Sequence, residues 1–250
     1  MTPADLDRAV MAAVRAAAAD GELGGVVPPD DAGLRWAGGG YVSPLPMRLA
    51  APAGWAARRV AEIIARRIDP LDGEVAVTGP GFLSFSVRDP GGIARHVVTT
   101  PGYGYAAGLT GAAGAWPDRP RTFDNPGFVV RFAHARAASA GRHARDLGLV
   151  AGDPEGWLGE PVERRLLGLL AELPGRAARA ERRGDAGGLR RHLVRMADAY
   201  HDVHERCPAL PKGDEPPSPR HAARLTLAEA ARVALNNGLR TLGTTPEDRL

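Results

Sequence analysis

Val129, Phe132 and Arg136 stand at i, i+3 and i+7 in the stretch Asp124-Asn-Pro-Gly-Phe-Val-Val-Arg-Phe-Ala-His-Ala-Arg136. That spacing puts them on one face of a helix, where a single ligand can meet an aromatic ring and a guanidinium together. A second grouping lies in Phe82-Leu-Ser-Phe-Ser-Val-Arg88. Read as a strand, Leu83, Phe85 and Val87 share the core face while Phe82, Ser84 and Ser86 share the other. One aromatic beside two hydroxyls suits a surface on which a nucleobase stacks and is hydrogen-bonded. The alternative is a partly covered strand with Phe82 packed under a helix. His201, His204 and Cys207 are spaced i, i+3, i+6, but they spread over about 120° of one helix with Tyr200 and Val203 between them, so no metal is expected. Cys207 ends the apolar stripe Leu189, Leu193, Met196, Tyr200, Val203 and reads as a small core residue. His134 projects about 140° from Val129 and is expected to join helices.

The elements that must position these residues follow from composition and period. At 250 residues the chain can hold two modest domains. Its single cysteine excludes an internal disulfide, and no leader segment or long apolar run appears, so a cytoplasmic protein without membrane contact is expected. The basic residues are 31 Arg and one Lys, Lys212. Residues 1–110 carry net −1 and residues 111–250 net +4, which makes the C-terminal half the better polyanion face.

Thr2-Pro3 opens a helix carrying Leu6, Val10 and Val14. Residues 21–40 read as a loop, followed by helices over Pro44–Ala50 and Ala56–Ile68. The period then drops to two in Glu74–Thr78 and in the strand from Phe82, around the turn Gly79-Pro80-Gly81, and His96-Val-Val-Thr99 is a candidate further strand. Residues 101–122, with five Gly and three Pro, read as a linker. Beyond it the pattern is helical: from Asn125-Pro126 to about Arg145, from Pro161, along the Leu189–Cys207 stripe, and from about Ala222 to Leu242 with Gly243 as the stop. The expected fold is an α+β N-terminal domain, a small antiparallel sheet with helices, joined to an all-α helical bundle.

Two blocks carry a family resemblance. Tyr41-Val-Ser-Pro-Leu-Pro-Met-Arg-Leu-Ala50 through Gly79-Pro-Gly-Phe-Leu-Ser-Phe85 resembles the N-terminal, tRNA-core-reading domain of arginyl-tRNA synthetase. Asp124 through Asn237-Gly-Leu-Arg240 resembles the same family's C-terminal, DALR-type anticodon-binding domain. The implied organisation is 1–100 as the N-terminal-like domain, 101–122 as linker and 123–250 as the anticodon-binding domain. A catalytic domain would separate the two blocks in a full synthetase, and the gap here is far too short for one.

The resemblance also assigns roles. Phe82 and Ser84 would hold the tRNA elbow, Phe132 would stack on a base, and Arg136 and Arg240 would engage phosphate or base edges. The family usually has tyrosine at the positions of Val129 and Phe132, and usually ends in a Met where this chain has Leu250. Its ATP chemistry uses a mobile lysine in a K-M-S-K-type loop and an H-x-G-H turn. No such loop is present, and His201-Asp-Val-His204 has valine in place of the glycine and lies mid-helix. The chain is therefore expected to be a non-catalytic tRNA-binding protein that needs no cofactor. Its expected ligand is tRNA, arginine tRNA being the one the resemblance suggests, which it would present, sequester or help charge. A synthetase or an aminoacyl-tRNA-using enzyme is its expected protein partner. The alternative is a synthetase-derived protein-interaction module that no longer binds RNA.

Overall fold

The computed structural model describes residues 3–37, 39–68, 73–109, 114 and 116–250. The chain divides into two compact units, Met1–Arg88 and Asp89–Leu250.

In the first unit, α1 (Pro3–Ala19) buries Leu6, Val10, Val14 and Ala17 along one stripe. A four-stranded antiparallel sheet has the order β1-β2-β4-β3, with β1 at Arg35–Ala37, β2 at Gly40–Ser43, β3 at Val75–Thr78 and β4 at Phe82–Ser86. Between β2 and β3 come α2 (Leu45–Ala53) and α3 (Ala57–Arg66), and α3 lays Val60, Ile63 and Ile64 against the β3–β4 hairpin. Strand β1 falls in the segment read as a loop. Three residues are too few to display a period of two, and the Gly-rich approach masks the pairing. Gly40 is required there: a Cβ at this position would lie 2.2 Å from the Phe85 carbonyl oxygen, an approach that only glycine permits. In β4 the alternation holds, with Leu83 and Phe85 buried and Phe82 and Ser84 half-buried on the opposite face.

The second unit begins with α4 (Gly91–Thr99), which corrects the reading of His96–Thr99 as a strand. Val-Val-Thr favours extended structure locally, but Ile93, Ala94 and Val97 are buried at helical spacing where α4 packs on the two long helices α6 (Pro161–Arg183) and α8 (Pro219–Thr241). Tertiary burial overrides a weak β preference.

The segment that follows, read from its composition as a linker, is seated in the helical core at Tyr103, Ala106 and Leu109. Pro174 lies inside α6 and has no N–H to offer the carbonyl four residues before it. That carbonyl, of Leu170, accepts the Tyr103 hydroxyl at 3.0 Å. From α8, Asn237 Nδ2 donates to the Tyr103 carbonyl at 2.9 Å, and Thr241 Oγ1 accepts from the Ala106 N–H at 3.0 Å. Over residues 103–106, absence of periodicity therefore reflects turns pinned by side chains.

Four long helices complete the unit: α5 (Pro126–Asp146), α6, α7 (Gly187–Arg206) and α8. α5 buries Ala133, Ala137, Ala140 and Ala144, and α8 buries Ala223, Ala230, Ala231 and Ala234. These small side chains let the two axes approach closely, and α5 and α8 form one of the main packing pairs of the bundle. Glu163 is fully buried at the start of α6, accepting from Arg224 Nε at 2.7 Å and from the Glu160 N–H at 2.9 Å, so its charge is paired.

A Cβ at Gly238 of α8 would lie 2.4 Å from Leu193 Cδ2 on α7. Gly238→Val is therefore expected to destabilise the second unit by about 1–3 kcal/mol through overpacking, measured by urea denaturation. His192 is fully buried, with Nε2 2.9 Å from the Leu169 carbonyl. Burial pushes its pKa down to about 4 against the opposing pull of Glu172. The unfolded chain takes up this proton below about pH 6.5 while the folded chain refuses it until about pH 4, so the stabilisation is lost as pH falls through that window. Tm is expected to drop between pH 6.5 and 4.5, and the drop to be shallower in His192→Gln.

Candidate functional site

The site is built on the first turns of α5. Asn125 caps the helix: its Oδ1 accepts from the Gly127 and Phe128 N–H groups at 2.9 and 3.3 Å, while its Nδ2 donates to the Pro120 carbonyl. Pro126 supplies the first helical position. Arg131 clamps the incoming chain, donating to the Trp116 carbonyl at 2.7 Å and to that of Gly127 at 2.8 Å.

On this fixed base stands an aromatic cluster. The rings of Phe128 and Phe132 stack with centroids 5.4 Å apart and planes at 13°. His201, from α7, lies 5.6 Å from Phe132. Phe123, two residues before the cap, meets Phe128, Phe132 and His201 edge-on at 6.2, 5.6 and 5.7 Å. The Arg136 guanidinium sits 5.0 Å over the Phe132 ring and places Nη1 3.1 Å from His201 Nδ1 and 3.6 Å from Glu205. Because a guanidinium can only donate, Nδ1 of His201 accepts and its ring proton is on Nε2. Burial first, and the Arg136 charge second, push the His201 pKa down to about 4. His204 is lowered by the same two causes. Neither ring carries charge at neutral pH, and the positive charge here is that of the guanidinium.

Beyond Arg136 a groove of about 740 Å³ opens between α5, the α7–α8 loop and the C-terminal segment. Phe132 and Arg136 line it, together with Arg142, Lys212 and Arg249, while Asp248 is the one acidic side chain in its lining. Excess positive charge around a concave surface focuses potential on an anionic ligand. The segment closing the groove is tied to α5 by His134 Nδ1, 3.1 Å from the Glu247 carbonyl, and by Arg142 Nη1, 3.0 Å from that of Asp248. His134, expected to join helices, instead ties the C-terminal segment to α5; it is 2% exposed and lowered in pKa by burial.

Of the residues singled out from the sequence, Phe132 and Arg136 come together. Val129 does not join them. It is 4% exposed, because α7 presses His201 onto this turn of α5. Arg240 is on α8 with its guanidinium 5.4 Å over Tyr105, and it is not part of the groove lining. Phe82 and Ser84 form a separate surface in the first unit, where the Ser84 hydroxyl is 2.7 Å from that of Thr78.

Sequence reasoning passed over Phe123, Arg142 and Arg249, and it named His201 and Lys212 without placing either at this site. Continuing the Phe132–Arg136 face by another two turns reaches Ser139 and His143 on the groove wall, a signal that was available. Lys212 and Arg249 arrive from a loop and a tail, with no local pattern to announce them. Among the described residues no group of three or more His, Cys, Asp or Glu could hold a metal ion, and no helix is long and apolar enough to cross a membrane.

Comparison with known proteins finds similarity over about half of the chain. Residues 130–250 match the DALR anticodon binding domain family. The chain is 37% identical over 132 residues to the arginine–tRNA ligase of Clavibacter sepedonicus, covering 52% of this chain and 24% of the ligase. It is 38% identical over 133 residues to that of Frankia alni, again covering 52% and 24%. It therefore spans about a quarter of the length of these relatives. Among solved structures, arginyl-tRNA synthetase of Thermus thermophilus aligns with a TM-score of 0.42 at 23% identity, over 52% of this chain and 22% of that one. Residues 130–250 are thus similar to a DALR anticodon binding domain, and about half of the chain is similar to part of the arginine–tRNA ligases.

Proposed function

We propose that the chain binds tRNA without catalysing its aminoacylation, presenting it, sequestering it or helping a synthetase to charge it. The observation that carries this reading is the joining of an aromatic cluster to a cationic groove on the anticodon-binding domain: rings for unpaired bases, guanidinium groups for phosphates. Arginine tRNA is the favoured ligand, because the relatives are named arginine–tRNA ligases. Phe82 and Ser84 would supply a second point of attachment from the sheet of the first unit, at the tRNA elbow. Arg240 stacked on Tyr105 would take a phosphate outside the groove.

The non-catalytic part of the proposal rests on chemistry. The chain's one lysine, Lys212, is on the groove wall, and a phosphate-following lysine loop is what adenylate formation requires. A partner that hands over or takes up the tRNA, a synthetase or an aminoacyl-tRNA-using enzyme, fits the same role.

The test is retention of total tRNA across a salt series, with sequencing of what is held. The expected result is salt-sensitive enrichment of one isoacceptor family. On single-stranded RNA the log–log slope of affinity against salt is about −0.7 per phosphate neutralised, so Arg136→Gln and Arg249→Gln are each expected to make it shallower by that amount. Retention of no tRNA at low salt would overturn the proposal and favour a protein-interaction module.

A further inference from the structure

The ring that the sequence pattern nominates for stacking has no face left to offer. Phe132 is flanked by residues four before and four after it on α5, each about 6 Å away along the axis and on opposite sides. On one side the Phe128 ring stacks at 13°, and on the other the Arg136 guanidinium covers the ring at 5.0 Å. His201, tilted at 34°, and Phe123, at 83°, crowd the same ring with centroids 5.6 Å away. A base could reach a Phe132 face only by displacing Arg136 from His201 and Glu205, or Phe128 from its stack. Phe132 is therefore the support of the cluster.

Phe123 is the opposite case. It is 64% exposed, and no ring stacks parallel on it, its three aromatic neighbours standing at 76–83° to its plane; with most of its surface in solvent, a base can lie against it. Its backbone is held by the turn before α5, where Thr122 N–H donates to the Pro120 carbonyl, Asn125 N–H to that of Thr122, and the Asn125 side chain to Pro120 as well. An open aromatic face on a fixed turn, touching a ring that lines a cationic groove, is what an unpaired nucleobase with its phosphate in that groove needs.

We propose that Phe123 is the base-stacking platform of this interface, and that it takes an unpaired base of the RNA while Phe132 and Arg136 form the floor beneath. The assignment rests on the tRNA reading and deepens it. Phe123 also packs on Phe128 across the helix start, in the manner of a hydrophobic staple, so the test must separate stacking from stability.

Leucine keeps the apolar packing and removes the π face. Phe123→Leu is expected to keep its Tm and to bind total tRNA roughly 5- to 150-fold more weakly, the range spanned by loss of one base–aromatic stack. Phe123→Trp is expected to bind at least as tightly as the native protein. A direct readout uses tRNA transcribed with 4-thiouridine and irradiated on the wild-type protein. Trypsin separates peptide 122–131, which holds Phe123, from peptide 132–136, which holds Phe132. The adduct is expected in the first peptide, at Phe123. An adduct in the second, or native affinity in Phe123→Leu, overturns the stacking assignment and leaves tRNA binding intact. Wild-type protein that retains no tRNA overturns both.

Discussion

Arg136 engages three groups at once: its guanidinium lies over the Phe132 ring, donates to His201 Nδ1 and faces Glu205. The shape and electrostatics of the groove depend on that arrangement. By donating to Nδ1 it fixes the His201 tautomer, and by its charge it adds to the burial that keeps His201 neutral. By covering Phe132 it converts a potential stacking ring into a wall. A lysine could not do all three, because only the planar, delocalised guanidinium can lie flat on a ring while directing N–H groups along its edge.

This arrangement needs α5 held rigidly at both ends, and the helix achieves it with unlike devices on its two faces. The inward face is alanine, at Ala133, Ala137, Ala140 and Ala144, which brings α8 close and leaves little slack for rotation. The outward face carries the long side chains, and its start is locked by the Asn125 cap and the Arg131 clamp. Far along the same helix, His134 and Arg142 hold backbone carbonyls of Glu247 and Asp248. The groove is thus a property of one helix and the segments tied to it.

The sequence carried most of the helices because their information is local. Asn125-Pro126, the stripe ending in Cys207, and Gly243 after α8 are each caps or periods that act within a few residues. What it did not carry is non-local or too short. β1 has three residues and depends on its partner strand for identity. α4 looks extended in isolation and is helical because α6 and α8 cover it. Tyr103 sits in a glycine-rich stretch whose place in the core depends on a carbonyl freed by a proline far along the chain, Pro174. In the site, the spacing of Phe132 and Arg136 was legible and the burial of Val129 was not, since helical spacing specifies direction and the neighbouring helix decides what is covered. Phe123 lay outside the periodic segment, where no pattern rule looks.

The near-absence of lysine bears on what such a surface can do. A chain with 31 Arg and one Lys places nearly all its positive charge on groups that do not lose a proton near neutral pH and that bind phosphates and base edges through fixed, forked donors. That favours recognition: the donors are preorganised, and their charge is constant across physiological pH. Of the histidines around the site, His134 is buried and His201 half-buried, and burial lowers the pKa of both, so that both rings are neutral at neutral pH. The groove thus presents fixed positive charge on a concave surface, and the exposed ring of Phe123 touches Phe132 on its wall.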